Sequence, residues 1–222
     1  MEIKKIVICG DSFCAGADQD HFSHLLANRY NYDVINLAFG GMSTVGICFQ
    51  IREAISLDPN FIIYNTTFAG RVDLIMNGNF KLDAGLKNFV YTTDPAPNSY
   101  VGNIKSPIWS TPWRDVGEKK DINTTAEQKH AVELYLKYLL QWQLKGETDS
   151  WMIQHWHDQV IKSSIVPIRV ASDDEIAKPM YDFALKNKDY PKPHHTDSDT
   201  QEVMASRLDQ EIQRLILQKN ML

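Results

Sequence analysis

Cysteine is scarce in this sequence. Cys9, Cys14 and Cys48 are the only three in 222 residues, and an odd, small number excludes a disulfide framework and predicts reduced thiols. Basic charge is not in excess either. Twenty-three Lys and Arg against 28 Asp and Glu leave a formal net charge of −5, which argues against nucleic-acid phosphate as the main partner. No apolar run reaches the 18 or so residues that a membrane span needs, and Met1-Glu2-Ile3-Lys4-Lys5 leads into a short apolar stretch with no signal-type segment. The expectation is a cytoplasmic protein without a membrane partner. Nucleotide fingerprints are missing as well. Gly10 to Gly16 has glycine spacing but lacks the Lys-Ser/Thr pair of a phosphate loop, and no Gly-x-Gly-x-x-Gly follows any candidate strand. His155-Trp156-His157 puts two imidazoles two apart on a predicted helix, where they do not share a face, and no carboxylate or thiol set completes a site. No cofactor and no metal are expected. Internal repeats, low-complexity tracts and flexible linkers are also lacking.

What is present is enough apolar material, 43% of residues, for one sizeable core, so a single domain over 1–222 is the simplest organisation. The first 67 residues alternate regularly. Ile6-Val7-Ile8-Cys9 is a continuous apolar strand of the kind buried on both faces of a parallel sheet. Phe22, Leu25, Leu26 and Tyr30 mark a helix face. Val34 to Leu37 is a second strand, and Ser43 caps a helix over 44–57, stopped by Asp58-Pro59. Phe61 to Tyr64 is a third strand, ending in Asn65-Thr66-Thr67. Strand-helix-strand-helix-strand predicts an α/β fold built on a doubly wound parallel sheet.

From residue 68 to 123 turn chemistry dominates, so 68–164 is read as an insertion of irregular chain and extra helices. Its rings, Tyr91, Tyr100, Trp109 and Trp113, either line a substrate cleft or bury a satellite core. Thr124-Thr125-Ala126-Glu127 is a capping box that opens a helix over 125–145, ended by Gly146, with Ala131, Leu134, Tyr135, Tyr138, Leu139 and Trp142 inward. A second helix spans Trp151 to Ile161. Residues 165–170 form a strand that Pro167 places at an edge. A short helix lies near Met180 to Leu185. Ser198 or Asp199 then caps a last helix to about Gln218, with Val203, Leu208, Ile212, Leu215 and Ile216 inward.

Ligands of such sheets sit beyond the carboxyl ends of the strands, so the polar residues there are the ones that matter. The first strand stops at Gly10-Asp11-Ser12. This is either a nucleophile loop or a plain turn. The second is followed by Gly40-Gly41, where a backbone N–H meets a developing negative charge without a Cβ in the way. The third ends in Asn65, a potential amide donor. Lys192-Pro193-His194-His195-Thr196-Asp197 lies in a loop just before the last helix, where an imidazole is able to reach over the strand ends. Cys14 is a rival nucleophile or an inert buried thiol. Arg71 is a candidate substrate contact or a surface ion pair.

Gly10-Asp11-Ser12 after the first strand, Asn36 to Gly41 after the second, a polar end to the third and a His before the last helix resemble the SGNH/GDSL hydrolase superfamily of esterases, lipases and carbohydrate acetylesterases. The resemblance spans most of the chain in short scattered blocks. It implies a flavodoxin-like three-layer α/β/α fold and an ester substrate, with an O-acetylated carbohydrate as the leading class. By position it makes Ser12 the nucleophile and His195 the general base, with His194 the alternative. The oxyanion hole then comprises the N–H groups of Ser12 and Gly41 and the side chain of Asn65. Two blocks depart from the pattern. Tyr64-Asn65-Thr66-Thr67 replaces the usual Gly-x-Asn-Asp, so Thr66 or Thr67 competes with Asn65. Lys192 stands where an acid usually precedes the His by three. Asp189 or Asp197 is then the orienting acid, or a Ser–His dyad works without one. The Lys-Pro-x-His form is similar to a variant in phage and bacterial members, which makes a phage origin an open alternative. A catalytically degenerate glycan- or protein-binding module is the other reading of the same departures.

Overall fold

The structure, a computed structural model, describes residues 3–16, 18–38, 42–66, 72–75, 99–102, 142–171, 174–187 and 196–220. The chain forms two compact units. The first comprises Met1–Gly40, Ala54–Thr66 and Val160–Leu222, and the second Gly41–Glu53 and Thr67–Gln159.

The first unit is built on a parallel sheet. Strands β1 (Lys5–Cys9), β2 (Asp33–Asn36), β3 (Phe61–Asn65) and β6 (Val166–Val170) lie in the order β2-β1-β3-β6. That is the flavodoxin-like order, with the chain reversing direction across the sheet between β2 and β3. β1 is central, and its β-branched run pairs Ile6 with Val34 on one side and with Phe61 on the other. Alternate residues serve alternate faces. Ile6, Ile8, Phe61, Ile63, Ile168 and Val170 face a core shared with helices α1 (Phe22–Tyr30), α4 (Lys178–Lys186) and α5 (Ser198–Asn220). The opposite face carries Val7, Cys9, Ile62 and Tyr64, and these are equally buried. The doubly wound parallel sheet expected from the sequence is therefore the fold of this unit. Pro167 sits in β6, at the end of the strand order, where a missing ladder N–H costs least.

The helices follow local chemistry. α1 begins at His21, whose Nδ1 accepts from the Ser23 N–H at 3.2 Å, and ends at Asn31 in the left-handed region (φ 59°, ψ 44°). α5 differs from expectation in two ways. Its cap is Asp197, not Ser198 or Asp199: Asp197 Oδ1 accepts from the Thr200 N–H at 2.9 Å. Its buried face runs through Met204, Ala205, Leu208 and Ile212, whereas Val203 is 41% exposed. The four-residue steps from 204 to 208 and 212 define the stripe, and 203 lies off it. Leu215 and Ile216 are half-buried against the core.

α2 (Thr44–Ser56), most of which belongs to the second unit, starts at Ser43, whose Oγ accepts from the Gly46 N–H at 3.2 Å. Strands β4 (Val72–Ile75) and β5 (Ser99–Gly102) form an antiparallel pair inside the stretch expected to be irregular. Helix α3 (Trp142–Lys162) runs straight through Gly146. The expected stop there is wrong. Gly costs a helix only about 1 kcal/mol, and local bonds cross the position. Lys145 pairs with Asp149 at 2.5 Å, and Ser150 donates to the Gly146 carbonyl at 2.9 Å. The segment read as a separate helix from Trp151 is its continuation. The capping box at 124–127, the stripe from Ala131 to Leu139 and the rings of Tyr91, Trp109 and Trp113 lie outside the described residues.

Among the described residues, no helix is long and apolar enough to cross a membrane.

Candidate active site at the end of the central strand

β1 ends at Cys9, and the next seven residues make a tightly fastened loop. Gly10 has φ +148°, a conformation L side chains rarely adopt. The sheet register explains why. Cys9 lies opposite Tyr64, so Gly10 arrives beside Asn65. A Cβ on Gly10 would fall 1.9 Å from Asn65 Oδ1.

That space is used by a reciprocal pair. The Asp11 N–H donates to Asn65 Oδ1 at 3.0 Å, and Asn65 Nδ2 donates to Asp11 Oδ1 at 2.7 Å. Asp11 Oδ1 also accepts from the Phe13 N–H at 3.0 Å, an Asx turn. The Asp11 carbonyl accepts from the N–H groups of Cys14 and Ala15 at 3.0 and 2.9 Å, which closes one helical turn. Ser12 sits inside it, 8% exposed. From the other side, Asn36 at the end of β2 donates Nδ2 to the Cys14 carbonyl at 2.9 Å and accepts from the Ala38 N–H with Oδ1 at 2.9 Å. The Phe13 ring packs on Tyr181 of α4, centroids 4.6 Å apart. Ser12 thus stands on backbone held by Asp11, Asn65 and Asn36. Its neighbours Asp11 and Asn65 are 1% and 0% exposed, so these bonds form out of water, where leaving one unmade costs most.

Cys14 is fully buried. Burial pushes its thiol well above the ordinary range, and the Asp11 charge pushes the same way. Burial likewise raises Cys9. A thiol kept protonated is a poor nucleophile at neutral pH. The same loop carries the hydroxyl of Ser12.

The structure brings together Ser12, Asp11 and Asn65. Of the other expected residues, Asp197 caps α5, while Gly41, Asp189, His194, His195 and Arg71 lie outside the described residues. Two residues gain a place that their sequence did not show. In the sequence Asn36 only opens the second block, whereas in the structure it ties β2 to the Ser12 loop. Gln201, a polar residue inside an amphipathic helix, is 1% exposed and accepts from the Phe22 N–H at 2.8 Å. An Asn as the last residue of a short strand was the one available signal for Asn36. Nothing in the sequence flagged Gln201. His155 stands exposed on α3 with its ring edge-on to Trp156.

No protein-family model matches the sequence, and no curated protein does. Among solved structures, the chain is similar to a protein of the lipolytic G-D-S-L family from Desulfitobacterium hafniense DCB-2, with 11% identity and a TM-score of 0.42 over 91% of this chain and 98% of that one. It is also similar to the psychrotrophic esterase EstA of a Pseudoalteromonas species, in a structure inhibited by monoethylphosphonate. There the identity is 12% and the TM-score 0.42, over 96% of this chain and 98% of that one.

Proposed function

We propose that this protein is a serine hydrolase that cleaves an ester, with a small acyl group on a carbohydrate as the leading substrate class. The observation that supports it is the fixed, buried loop that holds Ser12 at the carboxyl end of the central strand. A nucleophile gains most when its geometry is set in advance. In this reading Ser12 Oγ attacks the ester carbonyl and His195 takes its proton. Negative charge on the carbonyl oxygen is met by the N–H groups of Ser12 and Gly41 and by the second N–H of the Asn65 amide, the first being given to Asp11. His195 returns the proton to the leaving alcohol. Water, deprotonated by His195, then cleaves the acyl-enzyme to release the acid and restore Ser12. Asp189 or Asp197 orients the imidazole, Asp197 through the oxygen that its helix cap does not use, or Ser12 and His195 work as a dyad.

Ser12→Ala is expected to lower p-nitrophenyl acetate turnover by at least about 1,000-fold, since nucleophile and base act as a unit. A fluorophosphonate is expected to label Ser12 stoichiometrically. Turnover unchanged in Ser12→Ala sinks the proposal.

One observation favours a second reading, a binding module that keeps the fold without the chemistry. Asn65 is fully buried and turned toward Asp11, as a bracing residue would be. No fluorophosphonate labelling, together with retained binding to an acetylated oligosaccharide array, is what that reading predicts.

A further inference from the structure

Within the first unit a second buried polar arrangement joins the starts of two helices distant in sequence. The Phe22 N–H, in the first turn of α1, donates to Gln201 Oε1 at 2.8 Å. Gln201 Nε2 donates in turn to Thr196 Oγ1 at 2.5 Å. Gln201 and Thr196 are 1% and 0% exposed. Outside this pair the Ser198 hydroxyl donates to the Asp20 carboxylate, and Arg29 meets Glu202 at 3.0 Å on the surface. α5 does not need Gln201 for its own start, because Asp197 already caps it. The carboxamide instead reaches back to the residue before the cap.

The other end of this clasp leads to Ser12. His21, fully buried at the α1 N-cap, has its ring against Gly16: a Cβ there would come within 2.2 Å of His21 Cδ2. Gly16 closes the loop that Ser12 begins. A continuous set of contacts therefore runs from that loop through Gly16, His21, the Phe22 N–H and Gln201 to Thr196. Thr196 is joined by a peptide bond to His195. Hydrogen bonds such as those of Gln201, made out of water, are strengthened by the low local dielectric and costly to break.

We propose that Gln201 and Thr196 are positioning residues that fix the anchor point of His195 relative to the Ser12 loop. The inference rests on the serine-hydrolase reading for its catalytic meaning. Loss of the clasp lets the base drift from its working position, and a misplacement of about 1 Å is worth roughly 100-fold in rate.

The test uses the full chain with Thr196→Val, which keeps the shape and removes the hydroxyl, and Thr196→Ser, which keeps the hydroxyl. Gln201→Met serves in case Thr196→Val does not fold, and all variants are read where circular dichroism shows them native. The expected result is a kcat lowered about 10- to 100-fold with little change in KM, and recovery in Thr196→Ser. The imidazole resonances of His195, assigned by their loss in His195→Gln, are expected to shift in Thr196→Val and return in Thr196→Ser. Wild-type kcat in a native Thr196→Val overturns the inference, and an unmoved His195 resonance overturns it at any activity. A wild-type protein without Ser12-dependent turnover whose His195 resonance still moves defeats the hydrolase reading and leaves the clasp standing. Absence of both defeats the two together.

Discussion

Removing the Asn65 side chain tests whether the Ser12 loop is held as described. Asn65→Ala deletes two hydrogen bonds at once: the 3.0 Å bond from the Asp11 N–H and the 2.7 Å bond from Nδ2 to Asp11 Oδ1. A neutral bond of this kind contributes about 0.5–1.5 kcal/mol and one to a charged group about 1.5–3 kcal/mol. Both survivors on Asp11 stay buried, and part of their desolvation adds to the loss, so the variant is expected to lose about 3–5 kcal/mol. A chain of ordinary stability survives that. Asp11→Ala removes Oδ1, and with it the bonds from Asn65 Nδ2 and the Phe13 N–H, while the Asp11 N–H keeps its Asn65 acceptor. The double-mutant cycle therefore isolates the side-chain pair, with an expected coupling of about 1.5–3 kcal/mol. Urea unfolding followed by far-UV circular dichroism supplies the four free energies, with unchanged m-values as the check that only stability moved. A coupling under about 0.5 kcal/mol refutes the reciprocal pair, and with it the account of why Asn65 points away from solvent.

Gly10→Ala is expected to lose about 3–5 kcal/mol by the same assay, because φ +148° is strained for any L residue and the new Cβ displaces Asn65 Oδ1 from 1.9 Å away; wild-type stability contradicts the register argument. Alkaline pH is expected to weaken the fold through two buried thiols. Burial raises Cys9 and Cys14 above the ordinary 9.0, so they stay protonated when folded and ionise when unfolded. Their contribution is complete below pH 9 and falls as pH rises beyond it, by at most about 1.4 kcal/mol per pH unit for each thiol. Urea midpoints from pH 8 to 10 are expected to drop less in Cys14→Ala than in the wild type, and equal slopes refute the assignment.

The fold of the first unit was legible because its signals are local. Ile6 to Cys9 and Phe61 to Tyr64 are apolar runs too short for helices, and each ends at a polar or glycine residue. Pro167 marked an edge for a mechanical reason, its missing N–H. What misled was a residue whose effect depends on context. Gly146 looked like a stop, but a glycine ends a helix only when the chain also turns away, and the Lys145–Asp149 pair holds the next turn in line. Val203 failed for a related reason. Apolar residues on a half-buried helix do not declare which stripe faces inward until the neighbouring elements choose one, and Met204, Ala205 and Leu208 won that choice.

The candidate site divides along the same physical line. Ser12 could be found because a hydroxyl three residues past an apolar strand is a local pattern. Asp11 braces the loop from the adjacent position and Asn65 shows as a polar strand end, but where each carboxamide reaches across the fold is not a local pattern. Asn65 reaches 54 residues back to Asp11, Asn36 reaches 22 back to Cys14, and Gln201 reaches 179 back to the Phe22 N–H. A carboxamide offers a donor and an acceptor on one planar head without a charge to desolvate. It can therefore close a buried backbone gap from either side, where Asp or Lys would carry the penalty of a buried ion. In sequence such an Asn or Gln is indistinguishable from a surface residue, since nothing adjacent to it reveals that it will be buried. In the fold, three of them converge on the loops that flank Ser12 and Thr196, and each fixes backbone. The amides of Asn65 and Gln201 are neutral and buried, so the loss of either is expected to cost more stability than the loss of an exposed, ion-paired charge such as Glu202.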